Sequence, residues 1–380
     1  MTQHDTNDSR RALNRLRRAS GGGLEGSSGA PDLSDQRIRT TIAVAKERFR
    51  RIAERAKARG ENATDEQQQV LRDAEDAMKA LATEGESAQL SQGQRIGLEA
   101  IVVPDGTRPA LFVQDDEVDP TAPDAGTWQA RISGFRTDIA KVARSVGRIN
   151  AKVGFPDYAG TGWVVADGLI ATNKHVLELL AGRSTPLADG TWPLRQPVTI
   201  DFAAEFQIAR ERSFKVTGVK FASQDSINGI LKPSNLDIAI LTVETNNGTE
   251  DLPPPLPLSR RANAVLTQAP IYVMGYPARP NDEFGEVLMK VFRDEFFVKR
   301  FAPGFVESRP DDVADGQGRV FTHDSSTLGG NSGSCVVEFN VQGRAAVGLH
   351  FGGLARRENY AHSLGRLEQL LIEEGATFQD

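Results

Sequence analysis

Apolar positions follow two different periods along this chain, and the change of period divides it. Ile38, Ile42, Ala45, Phe49, Ile52 and Ala56 recur at alternating spacings of four and three, which lays a single apolar seam along a helix. Ser34 or Asp35 supplies its N-cap. The string "GENAT" at 60–64 ends it, and Leu71, Ala74, Met78 and Leu81 mark one face of a second helix starting near Thr64. Two helices joined by a short Gly-containing turn predict an antiparallel helical hairpin over residues 34–86. Its seam can close on itself, on the rest of the chain or on a second copy, self-packing being the simplest of these. Residues 1–33, with "GGGLEGSSGAP", have nothing to bury and read as a disordered basic tail and Gly/Ser linker.

Residues 87–145 read as a connector. "GLEAIVV" and "PALFVQ" flank "PDGTR" like the strands of a short hairpin, "QDDEVDPTAPDAGT" reads as an exposed acidic loop, and "DIAKVARSV" as a short helix. From about residue 146 the period falls to two. "VGRINAKV", "GTGWVVAD", "GLIATN", "QPVTIDF", "FKVTGVKF" and "LDIAILTV" are short β-branched segments between turns. "DLPPPLP" at 251–257 interrupts them. A second set follows: "PIYVMGYP", "EVLMKVFRDEFFVKRF", "GRVFTH", "SGSCVVEFN" and "AAVGLHFGG". Many short strands around a proline-rich crossing predict a mainly β fold of two barrels, one over about 146–250 and one over about 258–362. Leu364, Leu367, Leu370 and Leu371 predict a closing amphipathic helix at about 363–374.

Composition and charge add limits. The chain has 380 residues, 39% hydrophobic and 25% charged, as soluble globular proteins do. No apolar run reaches the ~18 residues of a membrane span. The N-terminal "MTQHDTNDSRRALNRLRRAS" has no apolar core, so no secretory signal is read there, and Arg10-Arg11 is not a twin-arginine signal. A single cysteine, Cys335, excludes an internal disulfide and points to a reducing, cytoplasmic location. Residues 1–60 carry 14 Lys/Arg against 7 Asp/Glu, a net +7, which leaves −13 for the rest of a chain whose total is −6. No aromatic interleaving accompanies that basic arm, so a solvated tail is preferred to a nucleic-acid or anionic-membrane contact.

Three fragments carry candidate chemistry: "TNKHV" with His175, "NLDIAIL" with Asp237 and "TLGGNSGS" with Ser332. A serine hydroxyl needs an adjacent base as it attacks a carbonyl. His175 would take its proton and return it to the leaving amine, while Asp237 would fix the imidazole tautomer. Glycines around the serine permit the φ/ψ that turn successive N–H groups toward one oxyanion, and Gly330 and Ser332 are the expected donors. No cofactor is required, and a metal site is not expected, because His4 and His362 lack partners at ligand spacing.

With these fragments in the order His, Asp, Ser, residues 146–364 resemble the trypsin-like, chymotrypsin-fold serine proteases. Within them, "GNSGS", "TNKHV" and "GLHFGG" are similar to the bacterial glutamyl endopeptidase-like branch. The resemblance implies a peptidase domain over 146–380 acting through an acyl-enzyme on protein or peptide substrates. It places Ser326 near the base of the primary specificity pocket, and Thr327 and His350 where that branch binds a substrate carboxylate. A cleavage preference for Glu, or Asp, before the scissile bond follows, strengthened where the imidazole is protonated. The alternative is a pocket of other preference with His350 only in its wall. Phe351, Gly352 and Gly353 would form the edge along which substrate pairs as a strand. Asn331 stands where many zymogens of the family have the Asp that pairs with a newly cut N-terminus, so no such activation is expected. His323 and Tyr276 read as structural, and Cys335, in place of the family's proline, as an inert buried thiol.

The N-terminal region is expected to recruit, oligomerise or inhibit. One version has the acidic loop at 114–125 occupy the cleft. The rival readings are a catalytically silent peptide-binding barrel, and an adaptor whose main function lies in the basic arm.

Overall fold

The computed structural model describes residues 108–379 except 154–156, 196, 226, 228–232, 280–290, 314, 341–342 and 355–357, together with scattered positions between 72 and 88. Of the expected helical hairpin, the positions described between 72 and 84 are helical. The rest of it, the tail at 1–33 and the "GLEAIVV" strand lie outside the described residues. The chain divides into two compact units, Met1–Thr107 with Asp282–Asp294 and Arg108–Asn281 with Glu295–Asp380. The second unit carries the candidate site.

Six strands close the first barrel: β2 (Val146–Ala151), β3 (Gly160–Ala166), β4 (Leu169–Thr172), β5 (Val198–Asp201), β6 (Ser213–Ala222) and β7 (Ala239–Val243), in the order β2-β3-β4-β7-β6-β5. Between β4 and β5 lies a helix that opens with the histidine of "TNKHV". Beside the short β8 (Leu258–Ser259), which pairs with the start of β13, the second sheet holds β9 (Pro270–Gly275), β10 (Arg300–Ser308), β11 (Val320–His323), β12 (Cys335–Glu338), β13 (Ala346–Leu354) and β14 (Glu358–Ser363). Their order is β12-β9-β10-β11-β14-β13, and β12 pairs back to β13 to close the ring. The mainly β, chymotrypsin-like double barrel expected from the sequence is therefore the fold.

The period of two explains how the barrels meet. On β3, Val164 enters the interior of the first barrel, while Trp163 and Val165 enter a core shared with the second. On β9, Ile271 and Val273 fill the second barrel, while Tyr272 and Met274 face the shared core. Successive side chains of a strand point to opposite faces, so both faces of these strands are buried and each joins two cores.

The residues before the barrels build into the same core. Trp128, and Ile132 on a helix at Gln129–Gly134, lie in it with Ile139, Val142 and Ala143 of the helix Arg136–Ser145, which is the expected "DIAKVARSV" helix. A two-residue strand, β1 (Leu111–Phe112), adds to β10 with Leu111 opposite Phe301. The chain closes with a 3-10 turn at Leu364–Leu367 and a helix at Glu368–Glu373, whose Leu364, Leu367 and Leu371 are buried. One expected strand is shorter than its sequence. In the described part of "EVLMKVFRDEFFVKRF", residues 291–301, only Arg300 and Phe301 belong to β10, because Phe297, at φ 63, turns the chain just before it.

The start of the acidic loop is tied to a buried lysine. Lys299 is fully buried. Its ammonium donates to Ala143 O at 2.6 Å, Phe202 O at 2.8 Å and Glu205 Oε1 at 2.7 Å, which uses all three of its protons. Asp116 lies 3.9 Å from that ammonium, 3.3 Å from Arg144 and 3.6 Å from Arg212. Asp115 pairs with Arg210 at 2.9 Å and Glu117 with Arg136. Asp115, Asp116 and Glu117, at the start of the expected cleft-filling loop, are thus engaged by cations of the chain's own fold.

Candidate active site

Asp237 lies two residues before the start of β7 and faces the first turn of the helix α1 (Lys174–Ala181). Its Oδ1 accepts the backbone N–H of His175 at 3.0 Å, and its Oδ2 lies 2.6 Å from His175 Nδ1. A carboxylate can only accept, so Nδ1 carries the proton and Nε2 the lone pair. The aspartate's own backbone is fixed at both ends. Its N–H donates to His362 Nε2 at 3.0 Å, and its C=O accepts Asn173 Nδ2 at 2.8 Å. Asn173 occupies the N-cap of α1 with extended backbone, yet its side chain turns to Asp237 instead of capping. Val176, Leu177 and Leu180 sink the other face of α1 into the first barrel, which fixes where His175 stands. Asp237 is buried, whereas the His175 side chain is 29% exposed, so one end of the pair is sealed and the other open.

Ser332 lies on the loop between β11 and β12. Asn331 N–H donates to Leu328 O, Ser334 N–H to Asn331 O and Gly333 N–H to His350 O. The N–H groups of Gly330 and Ser332 have no acceptor among the described residues. Gly330 and Gly333 both stand at φ +87. A Cβ on Gly330 would fall 2.0 Å from Tyr158 Oη, and one on Gly333 2.1 Å from Thr161 O, so close backbone approach and positive φ both require glycine. Thr161 of β3 grips the loop from the first barrel. Its N–H donates to Ser332 O and its hydroxyl to Gly330 O, each at 2.9 Å. Thr172 of β4, three residues before His175, donates to Thr161 O at 2.8 Å. Ser332 Oγ makes no hydrogen bond to a described residue, so the link from serine to histidine is open here.

The family model for the trypsin-like peptidase domain matches residues 160–349. A probable serine protease of Lysobacter enzymogenes is 32% identical over 313 residues, 76% of this chain and 78% of that protein. The chain belongs to the trypsin-like serine peptidases. Among solved structures, the inactive form of the Rv3671c protease is similar at 23% identity and TM-score 0.37, over 63% of this chain and 92% of that one. Neuropsin from mouse brain is similar at 13% identity and TM-score 0.43, over 61% and 95%.

In this peptidase, the segment 323–331 that leads to Ser332 is tied to β13 and β14. Thr327 Oγ1 donates to Asn359 Oδ1 at 2.6 Å, and Asn359 Nδ2 donates to Ser325 O at 2.7 Å. Ser326 Oγ donates to the carbonyl of Arg108. His350 is buried, with Nδ1 3.3 Å from His323 Nε2. Burial first, then the neighbouring His323 and His175, holds His350 well below the ordinary histidine range. The extra strength that a protonated imidazole would lend to a carboxylate contact is thus opposed at His350, where no carboxylate offsets the desolvation. His323 is likewise pushed down to about 4 by burial. Gly352 and Gly353 pair with Tyr360 and Asn359 of β14, and beyond Leu349 β13 has no strand on its other side among the described residues. Phe351 turns inward and stacks on His362 with ring centres 4.2 Å apart.

Asn331 is buried. Its amide bonds within its own loop, to Leu328 O and Ser334 Oγ. Tyr276 accepts Tyr158 Oη on its carbonyl and donates its N–H to Thr161 Oγ1, so it braces the serine loop from below. Cys335 is fully buried, and burial pushes its thiol up to about 12. Thr161, Asn173, Asn359, His362 and Arg108 were not singled out for roles at the site. A hydroxyl in "GTG" and an asparagine in "TNKHV" are local signals that could have marked the first two, whereas the other three act across strands and leave no local signal.

Proposed function

We propose that this peptidase is an endopeptidase in which Ser332 attacks the scissile carbonyl, His175 accepts and returns the proton, and Asp237 holds the histidine. The observation that carries this reading is the double grip of Asp237 on the His175 N–H and Nδ1, which aims the Nε2 lone pair away from the buried side. The uncommitted N–H groups of Gly330 and Ser332 would meet the oxyanion. The open edge of β13 would take substrate as an added strand. Asn331 closed on its own loop supports an oxyanion loop that stands without a newly cut N-terminus. A fluorophosphonate probe tests the reading: labelling that vanishes in Ser332→Ala is expected, and a wild-type chain that never labels sinks it.

The preference proposed is for an acidic residue before the scissile bond. A His323 Nε2–H donating to His350 Nδ1 leaves His350 Nε2–H as a neutral donor for a carboxylate. Asp324, the acidic group beside Ser326, is paired with Arg108 at 2.7 Å, so it offers no charge to a substrate Lys or Arg. A cleavage profile on a peptide library with no enrichment of Glu or Asp refutes this part. A reducing compartment is proposed for the enzyme because its one cysteine is buried and unpaired. No helix among the described residues is long and apolar enough to cross a membrane. The region before residue 108 is proposed to recruit or regulate.

The open link at Ser332 Oγ favours one second reading, a barrel that binds peptides without cutting them. Catalytic hydrogen bonds often close only with substrate, and the same labelling experiment separates the two.

A further inference from the structure

We propose that residues 108–113 are a built-in brace behind the wall of the substrate pocket, with Arg108 the positioning residue that holds segment 324–327 in place. The proposal rests on the peptidase reading above, since it takes that segment as one side of the space beside Ser332. The residues come from before the first barrel and reach the second across 216 positions of sequence.

Arg108 makes two separate contacts to the segment. Its Nη2 lies 2.7 Å from Asp324 Oδ2, with the two side chains only 6% and 5% exposed. Its carbonyl accepts the Ser326 hydroxyl. Asp324 is in turn registered on β10, accepting Phe305 N–H on Oδ1 at 2.7 Å and donating its own N–H to Phe305 O at 3.2 Å. The arginine head stands 5.1 Å over the Phe305 ring. From the other side, Asn359 holds Ser325 and Thr327. The segment is therefore clamped between Arg108 outside and β14 inside, and from Thr327 the chain runs directly into the turn that carries Ser332.

Arg108 is itself anchored. Arg300 Nη1 donates to Ala110 O at 2.9 Å, β1 pairs along β10, and Val113 N–H donates to Lys299 O at 3.3 Å. Phe112 lies between the Arg300 head, 3.6 Å above its ring, and Phe206, whose ring centre is 3.9 Å away. A strand fixed in this way can transmit position to Asp324 and Ser326. A buried ion pair adds little net stability over apolar residues of like size, but it fixes geometry. The effect expected from Arg108 is thus on the shape of the pocket wall more than on the fold as a whole.

The test uses the full chain and separates binding from chemistry. Arg108→Leu alone strands a buried carboxylate, so the informative variant is Arg108→Leu with Asp324→Asn, which keeps the acceptor for Phe305 N–H. On a fluorescein-labelled peptide with one internal glutamate, KM should rise about tenfold or more, a loss of substrate binding rather than of the chemical step. Fluorophosphonate labelling of Ser332, which needs only the serine and its base, should stay within about threefold, and Arg108→Lys should recover part of the KM. Ser326→Ala, which removes one hydroxyl without burying a charge, should raise KM in the same direction and serves if the double variant does not fold. A folded double variant with wild-type KM overturns the proposal, as does a loss of labelling that matches the loss of turnover at constant KM. The same peptide is titrated against the variants in a Ser332→Ala background. If wild type neither labels nor cuts, the peptidase reading fails, while weaker binding on loss of Arg108 still upholds the pocket wall and unchanged binding overturns it.

Discussion

Replacing Asp237 with asparagine changes no volume, yet the structure determines which way the new amide must face. Oδ1 accepts the His175 backbone N–H at 3.0 Å, and that donor cannot turn away. The amide oxygen must therefore take the Oδ1 position, which puts the amide nitrogen opposite His175 Nδ1, now 2.6 Å from Oδ2. Two donors cannot share that contact, so the ring proton moves to Nε2, the nitrogen that should receive the Ser332 proton. The opposite orientation sets the amide N–H against the backbone N–H and fails for the same reason. The transition state loses a charge-assisted hydrogen bond, roughly 1.5–3 kcal/mol, and reaching the useful tautomer costs a comparable amount. Together these come to about 3–6 kcal/mol, or a fall in kcat of ~10²–10⁴. Single-turnover and steady-state cleavage of a library-selected peptide measures it, with KM expected near wild type and thermal unfolding unchanged. An Asp237→Asn protein that keeps kcat within about tenfold of wild type would refute the tautomer argument.

His362→Leu removes the acceptor for Asp237 N–H and leaves a buried donor unpaired, so it should cost about 1–3 kcal/mol. It should also lower kcat about tenfold without raising KM, with part of both recovered in His362→Asn; unchanged kcat excludes the role. Lys299→Met strands Glu205 and Asp116 and should cost ~3–5 kcal/mol, or about 6–20 °C in melting temperature, most of it restored by adding Glu205→Gln and Asp116→Asn. His323 and His362 are both depressed to about 4 by burial, so between that value and an ordinary ~6.5 the unfolded chain binds more protons than the folded one. Stability should then fall as pH drops through this window, by up to ~1.4 kcal/mol per unit for each histidine, and flatten below it. Urea titrations read the slope, and a His362→Asn slope equal to wild type argues against the buried neutral ring. Cys335, buried with its thiol near 12, should resist iodoacetamide in the folded protein and react fully in urea; rapid native labelling contradicts the packing.

The three residues of the proposed mechanism were legible because each sits in a short string whose local geometry matters: a helix start for His175, a strand entry for Asp237, a glycine turn for Ser332. The barrels were legible from the period of two, but not the burial of both strand faces. Trp163 and Val165 are covered only because the second barrel packs there. The downward pull on the His350 pKa was not legible, since it comes first from burial and then from His323 and His175 on another strand and a helix. His362 carried no spacing signal, because its contact with Asp237 is set by the register of β14, with His362 opposite Val320 and Leu349, and by the meeting of the two barrels. The helix at 136–145 showed its apolar face in sequence but not what it meets. The aromatic partners of this region, such as Phe305 and Phe339 against Trp128, lie far downstream.

That long reach has a consequence for how the protein is made. Arg108 meets Asp324 across 216 residues, and at about 5–20 residues per second a ribosome needs roughly 10–45 s to bring the second out after the first. For most of that interval Trp128, Ile132 and the strand at Leu111–Phe112 lack their final partners. Non-local pairing of this kind folds slowly. The first barrel, with His175 and Asp237, can close while the chain is still growing. The wall beside Ser332 cannot, so a nascent chain carries a histidine–aspartate pair long before it has a pocket in which to use it.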